Sequence, residues 1–366
     1  MRTRTIVANL GLGLFMAGCW SGQAYLYAGA ASAAFGDRER AESLLNAALP
    51  LLKSENAVPG RIVDCLLWLA DSTIDKGRYE EAGALLQQAA DALADCPPSS
   101  RIAAKWVTLA QLQYAIANSE EAAAAARHAL EQLADPGTND AKSYASAKYL
   151  LGSVLLAKGE DIAVVEGHFR AAIELLERTG NDKTTHEIDC LGGLASCCVY
   201  RGEYGEAEAL LNRAVALDAQ VSAGDDTVDL MNSLGLVNLY QGKIPEAEPY
   251  FDKARTALAE RKEAPRINLM LPALEGKAYC LFKSDKADEA KPLLEQVVEL
   301  IQRSPRPDER RLAKTLIDLG YTCSALGDDE TARKHFARSF EIYKRVCGTD
   351  TDETKRAEEA LASLSQ

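Results

Sequence analysis

The chain has 366 residues, with 41 lysines and arginines against 54 aspartates and glutamates, and a formal net charge of −13. This acid excess leaves no basic stripe for phosphates, which argues against nucleic acid as a partner. We interpret the excess mainly as a contribution to solubility; the second interpretation is a preference for basic or neutral partner segments. Alanine and leucine are abundant, and β-branched runs bounded by turn residues are absent, so we predict an all-α fold.

The first eighteen residues differ from the rest of the chain. Arg2 and Arg4 precede an apolar run over residues 6–15, which has the length of a secretory signal and is short for a membrane-spanning helix. The run ends in Met16-Ala17-Gly18-Cys19, which resembles the bacterial lipobox. The resemblance implies that residues 1–18 are a lipoprotein signal peptide and that Cys19 is lipidated. The protein would then be lipid-anchored in the bacterial cell envelope, facing the periplasm or the exterior, at the outer membrane in a Gram-negative cell.

Two other interpretations of this segment stay open. No charged residue lies between Arg4 and Asp37, so residues 5–25 are also compatible with an uncleaved signal anchor. The same stretch is compatible with a buried helix of a cytoplasmic protein. Both membrane interpretations place the body of the protein outside the cytoplasm, because Arg2 and Arg4 stay inside.

From about residue 22 onward the sequence repeats a helical hairpin, and the clearest copy covers residues 228–254. Apolar residues recur at helical spacing on both sides of Gly242: Leu230, Leu234 and Val237 before it, and Ala247, Phe251 and Ala254 after it. Glycine tolerates the left-handed backbone where one helix must stop. Alanine lets two helix backbones approach closely, and the large residue one turn later fills the remaining space.

The turn residue and a small residue five positions later recur along the chain. The pairs are Gly36/Ala41, Gly77/Ala82, Ala117/Ala122, Gly202/Ala207, Gly242/Ala247, Asp285/Ala290 and Gly327/Ala332. A turn at Gly159 also fits, with a second helix that has slipped so that Phe169 and Ala172 arrive late. Successive turns are 40 to 43 residues apart. We therefore predict eight hairpins, followed by a final helix over residues 351–364 with a polar outer face.

The hairpin resembles the tetratricopeptide repeat, whose pattern is Leu-Gly, an aromatic residue, alanine, an aromatic residue and alanine. The long period and the segments Gln241-Gly242-Lys243 and Glu246-Ala247-Glu248-Pro249 are similar to the kinesin-light-chain variety of that repeat. The resemblance implies a right-handed α-solenoid at residues 19–349 and a C-terminal capping helix at residues 350–366. It also implies a scaffold whose first helices line a concave groove that binds a segment of another protein.

Carrying the repeat register across the chain gives a set of residues expected to face this groove. They are Asp64, Asp71, Gln111, Tyr114, Tyr149, Ser153, Asp189, Ser196, Asp229, Asn232, Glu275, Tyr279, Lys314, Asp318 and Tyr321. Asn232 falls where the kinesin-light-chain type commonly has an asparagine that grips the partner's backbone. The alternative for each residue is a solvated helix face. The residue set with which chaperone-binding members clamp a carboxylate is absent.

No motif for catalysis was found, so we expect neither an enzyme nor a cofactor or metal site. Nucleotide-binding, serine-hydrolase and zinc-protease motifs are missing, and the four histidines are scattered. Among the nine cysteines, Cys65 and Cys96 flank one hairpin turn near its open end, so a disulfide between them is one interpretation and buried thiols are the other.

The leading functional hypothesis is a membrane-tethered adaptor of the bacterial envelope. Two alternatives are a structural subunit that docks by its convex face or its ends, and a cytoplasmic adaptor without a signal peptide. A weaker third is an enzyme that uses the groove as a substrate platform.

Overall fold

The structure is a computed structural model, which describes residues 21–34, 37–134, 136–181, 184–221, 225–260, 267–304 and 307–364. Within these ranges the regular secondary structure consists of seventeen α-helices. Of the described helices, none combines the length and the apolar character needed to cross a bilayer. The expected signal peptide, the lipidation site Cys19 and the expected turn at Gly36 lie outside the described residues.

The chain divides into two compact units, Met1–Asp182 and Lys183–Gln366. The helices of the first unit are α1 (Gly22–Ala34), α2 (Arg38–Ser54), α3 (Pro59–Asp75), α4 (Tyr79–Ala94), α5 (Ser100–Ala115), α6 (Ser119–Gln132), α7 (Ala141–Ala157) and α8 (Ile162–Arg178). Those of the second unit are α9 (Thr185–Arg201), α10 (Tyr204–Val221), α11 (Asp225–Tyr240), α12 (Ile244–Ala259), α13 (Ile267–Lys283), α14 (Ala287–Arg303), α15 (Glu309–Ala325), α16 (Asp329–Cys347) and α17 (Asp352–Ser363).

Inside each unit, successive helices pack against one another as hairpins. The four hairpins of the first unit and the four of the second confirm the predicted all-α fold of eight hairpins, and α17 packs on α16 at the end of the second unit. In α17, Ala357 and Ala360 are buried, whereas Arg356 and Glu359 are exposed. The apolar faces are thus buried between neighbouring hairpins, as stacked repeats require.

Seven of the predicted turn residues have the left-handed backbone that reverses the chain. Their φ angles are +71° at Gly77, +63° at Ala117, +72° at Gly159, +77° at Gly202, +75° at Gly242, +58° at Asp285 and +79° at Gly327. At each turn the next residue donates its N–H to the carbonyl five positions before it, as Lys243 does to Asn238 at 2.9 Å. This bond satisfies a carbonyl at the end of the first helix. The glycine-to-alanine register was therefore a correct guide to the turns.

Ala117→Gly is expected to raise the free energy of unfolding by about 0.5–1 kcal/mol. A left-handed backbone costs an L-residue roughly 1–2 kcal/mol, and the greater freedom of glycine in the unfolded chain offsets part of that gain. The matched opposite change is Gly159→Ala, where an added Cβ would meet no atom within 4 Å, so only the backbone cost is felt. Urea unfolding checks both variants, and a loss of stability in Ala117→Gly would contradict the explanation.

The fourth hairpin confirms the predicted slip of its second helix. Helix α8 begins three residues after Gly159, whereas α12 begins two residues after Gly242. The ring of Phe169 consequently lies where the ring of Phe251 lies in its own hairpin, against a glycine of the first helix. One extra residue in the turn has been absorbed without loss of the contact.

Glycines of the first helices receive the buried phenylalanine rings of the second helices. The ring of Phe251 is fully buried between Gly235 and Gly276, and a Cβ built on Gly276 would lie 2.2 Å from that ring. The same arrangement joins Phe336 to Gly320, where the corresponding distance is 2.4 Å. The glycine of the Leu-Gly dipeptide thus leaves the space that an aromatic ring of the second helix fills.

The two positions that depart from the repeat pattern are still buried. Ser339, which stands where an alanine is expected, donates its hydroxyl to the carbonyl of Ala313 at 2.7 Å. Val297 is fully buried in an apolar cluster with Leu271 and Leu312. Both departures preserve the packing, because the hydroxyl of Ser339 has a hydrogen-bond partner and the side chain of Val297 has no polar atom that needs one.

An ion-pair cluster fastens the first two hairpins together. Glu42 of α2 accepts hydrogen bonds from Lys76 and Arg78, which lie in the turn between α3 and α4. The hydrogen bond from Lys76 holds the pKa of the Glu42 carboxyl below its ordinary value, and Arg78 acts in the same direction. Burial acts in the opposite direction and is outweighed. The carboxylate is therefore the form that the folded protein stabilises.

Glu42→Gln is expected to lower the free energy of unfolding by about 1 kcal/mol at pH 7. Because the folded pKa is depressed, this contribution is fully present above the unfolded pKa of about 4.3 and is lost as the pH falls through the folded value. Denaturant unfolding between pH 7 and pH 3 measures it. The control is Glu39→Gln on the same helix, and a deficit that persists unchanged at pH 3 would be inconsistent with this origin.

The disulfide interpretation for Cys65 and Cys96 is wrong in this structure, where both are thiols. Cys65 is fully buried against α2 and donates to the carbonyl of Leu45 at 3.3 Å, whereas Cys96, just after the end of α4, donates to the carbonyl of Ala92 at 3.3 Å. Burial raises the pKa of the Cys65 thiol to about 12, which keeps it protonated.

Candidate functional site

A cleft of about 700 Å³ opens in the second unit and is lined by α13, α15, α16 and α17. The lining residues are Glu275, Asp308, Arg310, Arg311, Lys314, Ile317, Asp318, Tyr321, Tyr343, Glu353, Arg356 and Glu359. Helix α17 stands where the first helix of a ninth hairpin would be, but it has 12 residues, whereas α15 has 17. The five missing residues correspond to about 7.5 Å of helix. We attribute the open space beside α15 to this difference.

Four residues predicted from the repeat register meet in this cleft. Glu275 comes from α13, and Lys314, Asp318 and Tyr321 come from α15. Tyr321 is 46% exposed, and its ring packs edge-on against Phe336 with centroids 5.0 Å apart. The first-helix face that the sequence indicated therefore carries a defined cavity at this end of the second unit.

The other predicted residues of the second unit do not line the cleft. They are Asp189, Ser196, Asp229, Asn232 and Tyr279. Tyr279 is 46% exposed on α13, and Asp229 is exposed on α11. Asp189 and Ser196 are half-buried on α9, where the Ser196 hydroxyl donates to the carbonyl of Gly192.

In the first unit the predicted residues lie in pairs on three first helices, α3, α5 and α7. Asp71, Gln111 and Tyr114 are exposed, and Tyr149 and Ser153 are half-buried. Asp64 forms an ion pair with Lys105 of the next first helix. Burial, together with the nearby Asp75, raises the pKa of the Asp71 carboxyl.

The prediction that Asn232 grips a partner's backbone is wrong. Asn232 is only 4% exposed, and its amide donates to the carbonyl of Leu269 on α13 at 3.1 Å. Asn232 on α11 therefore joins its own hairpin to the next one, which begins with α13.

The sequence interpretation missed several residues that line the cleft. Glu353, Arg356 and Glu359 were expected on the polar outer face of the final helix; Arg356 and Glu359 are indeed exposed, but all three also form one wall of the cavity. Tyr343 of α16 is 6% exposed and also lines it. The repeat register could have indicated the residues of α17, because it can be continued into that helix as if α17 were the first helix of another hairpin.

Two ion pairs inside the cleft already neutralise part of its charge. Arg311 binds Glu275 through two parallel hydrogen bonds, Nε to Oε1 at 3.0 Å and Nη2 to Oε2 at 2.8 Å. Lys314 Nζ lies 2.9 Å from Asp318 Oδ2. These bonds hold four of the nine charged lining residues in fixed positions.

Burial and the neighbouring charges shift three of the cleft's titrating groups. Burial raises the pKa of the Asp318 carboxyl, although Lys314 acts in the opposite direction. Burial opposes the charge of Lys314, but Asp318 more than compensates and raises the pKa of that ammonium. Burial, with Glu353 and Asp318, raises the pKa of Tyr343 to about 12. At neutral pH the cleft therefore presents a charged lysine and a neutral phenol.

A small cluster elsewhere in the second unit has the composition of a cation site. Cys198, Glu203 and Glu206 bring their ligand atoms within 4.8 Å of one another. The guanidinium of Arg201 lies among them, donating to Glu203 at 2.7 Å and to the Cys198 sulfur at 3.7 Å. Because the guanidinium of Arg201 already contacts two of these three groups, we interpret the group as an ion-pair cluster.

The fold and the repeat pattern define an all-α protein built of tetratricopeptide-like hairpins. Residues 269–345 match the family model for the tetratricopeptide repeat, which covers α13 to α16 and most of the cleft. No curated protein matches the chain.

Among solved structures, the chain is similar to a Rap protein complexed with Competence and Sporulation Factor, with a TM-score of 0.60 and 12% identity over 94% of this chain and 97% of that one. It is similar to aspartyl phosphate phosphatase F from Bacillus subtilis, with a TM-score of 0.60 and 15% identity over 83% and 76%. The apo form of the quorum sensor NprR from B. thuringiensis gives a TM-score of 0.51 and 14% identity over 94% and 98%. At these identities the likeness concerns the fold alone.

Proposed function

We propose that this protein is an adaptor that binds a segment of another protein in the cleft lined by α13, α15, α16 and α17. The observation that carries the proposal is the cleft itself, which places four register-predicted residues around one cavity. Its volume of about 700 Å³ is in the usual range for ligand pockets and suits a few residues of polypeptide. Tyr321 and Ile317 offer apolar contact, and the charged side chains offer hydrogen bonds for orientation.

A row of exposed apolar residues continues from the cleft along the first helices. Leu236, Tyr279 and Tyr321 each lie six residues before the turn residue of their hairpin, and they are 38%, 46% and 46% exposed. Equivalent positions on stacked hairpins lie side by side. The row supports a binding mode in which the partner segment runs across α11, α13 and α15 and is anchored in the cleft.

The similar Rap protein was solved in complex with Competence and Sporulation Factor. This supports the proposal that a fold of this kind serves recognition, although identity of 12% carries no ligand across. The partner of this chain must therefore be found by experiment.

Photo-crosslinking from position 321 tests the proposal. Benzoylphenylalanine in place of Tyr321 is expected to form a discrete adduct with one protein in the native cells. The same group in place of Glu330, whose side chain is 83% exposed on α16 outside the cleft, is the control and is expected to give none. Adducts of equal yield at both positions would argue against a specific cleft.

A second candidate function is a structural subunit that docks outside the cleft. Tyr200 and Tyr240 are 65% and 56% exposed, and the ring of Tyr240 stacks on Tyr204 with centroids 5.5 Å apart. Exposed tyrosines of this kind are common at interfaces. A crosslink from position 200 with none from position 321 would favour this candidate.

We also propose that the protein is held at a membrane of the bacterial envelope by lipid on Cys19. The proposal is supported by the sequence Met16-Ala17-Gly18-Cys19 after an apolar run. Several acyl chains, at about 0.8 kcal/mol for each buried CH₂, would make such an anchor effectively permanent.

Intact mass and membrane fractionation test the anchor. The native chain is expected to lack residues 1–18, to carry lipid mass and to sediment with membranes, and Cys19→Ala is expected to lose the lipid. Cys96→Ala is the control, because it removes a thiol elsewhere. A full-length native chain without added mass would exclude lipidation and move the search for partners to the cytoplasm.

A further inference from the structure

The cleft contains charged groups of both signs that the protein leaves available. Glu353, Arg356 and Glu359 form no ion pair within the described part of the chain, although they lie on one short helix. Arg310 donates its Nε to the Cys347 sulfur at 3.1 Å and makes no carboxylate contact among the described residues. Sulfur is a weak acceptor, so most donors of that guanidinium remain unused.

We propose that the segment bound in this cleft carries both an acidic and a basic side chain, the acid pairing with Arg310 or Arg356 and the base with Glu353 or Glu359. This inference rests on the proposed function and adds the chemistry of the partner to it.

The internal ion pairs decide which charges remain for a partner. Arg311 is occupied by Glu275 in a bidentate pair, and Lys314 is occupied by Asp318. Breaking the Arg311 pair to bind a ligand would remove the cation from the Glu275 carboxylate, whose side chain is only 17% exposed, and this is costly. The Lys314–Asp318 pair is more exposed, at 61% and 39%, but its two charges cancel each other. Five charged lining residues form no ion pair among the described residues, and one of them, Asp308, is used as the cap of α15, where its carboxylate accepts from the Arg311 N–H at 3.0 Å. The other four, two arginines and two glutamates, can bind a partner without breaking an ion pair, and together they carry no net charge.

This balance of charge disfavours a partner of a single sign. A polyanionic segment would meet Glu353 and Glu359, and a polycationic one would meet Arg310 and Arg356. Like-charge contacts at an interface are a common means of rejecting wrong partners. A segment of mixed charge satisfies both walls of the cleft, whereas the net charge of −13 on the whole chain would by itself have suggested a basic partner.

Selection from a displayed library of random dodecapeptides on the full chain tests the inference. Peptides enriched by wild type are expected to contain at least one acidic and one basic residue and to bind Arg356→Glu and Glu353→Lys each about tenfold more weakly or worse. The matched controls are Arg303→Glu and Glu299→Lys, which change an exposed ion pair on α14 outside the cleft. These controls are expected to bind as wild type does, and circular dichroism checks that every variant is folded.

The outcomes separate the inference from the proposed function. Enriched peptides that need Tyr321 but carry charge of one sign, or that tolerate either cleft substitution, would overturn the mixed-charge inference and leave the cleft as the binding site. Peptides that bind Tyr321→Ala and both cleft variants as tightly as wild type would overturn the proposed site, and the inference with it. The same holds if no peptide is enriched.

Discussion

Replacing Phe251 by alanine is expected to lower the free energy of unfolding of the second unit by about 3–5 kcal/mol. The ring is fully buried and lies against Gly235 of its own hairpin and Gly276 of the next one. Neither glycine has a side chain that can move into the space, so the substitution leaves a cavity at the contact between two hairpins. Urea unfolding followed by circular dichroism measures the loss.

The matched control is Tyr200→Ala, which removes a mostly exposed aromatic ring from α9. Its effect is expected to stay within about 0.5 kcal/mol. If Phe251→Ala costs no more than this control, the glycine-lined space is not the contact that joins the hairpins.

Arg213→Met is expected to lower the free energy of unfolding by about 1.5–3 kcal/mol, because it removes a cation that binds the buried carboxylate of Glu187. Glu187 of α9 is 1% exposed, and it forms an ion pair with Arg213 of α10. The methionine keeps most of the length of the arginine, so the loss reports the charge more than the packing.

A double variant separates charge from packing at this pair. Arg213→Met with Glu187→Leu removes both charges and is expected to recover most of the lost stability, because an apolar pair of similar size needs no counter-ion. A double variant as unstable as Arg213→Met alone would mean that Glu187 has a structural role apart from its charge.

The repeat register predicted the fold well because each element depends on local geometry. Ala117 and Asp285 were identified as turn residues from spacing alone, and both have positive φ. The slip at Phe169 was visible in the sequence for the same reason, since the aromatic residue must reach the glycine of its first helix.

The candidate site was less predictable, because it depends on contacts between hairpins. Asn232 lies on a first helix in the expected register, yet its side chain is buried and donates a hydrogen bond to the Leu269 carbonyl of α13. Arg356 is exposed on α17 as expected, but the sequence did not indicate that this short helix leaves a cleft beside α15, which Arg356 also lines. Periodicity identifies the face of a helix, but neighbouring helices decide what that face meets.

The most direct test of the binding function is a calorimetric titration of the full chain with a synthetic peptide, which gives the affinity. The peptide has the sequence of the segment captured by crosslinking from position 321. Tyr321→Ala is expected to weaken binding at least about tenfold, and Glu330→Ala is expected to leave it unchanged. Equal affinity for wild type and a folded Tyr321→Ala variant would contradict a binding site in this cleft.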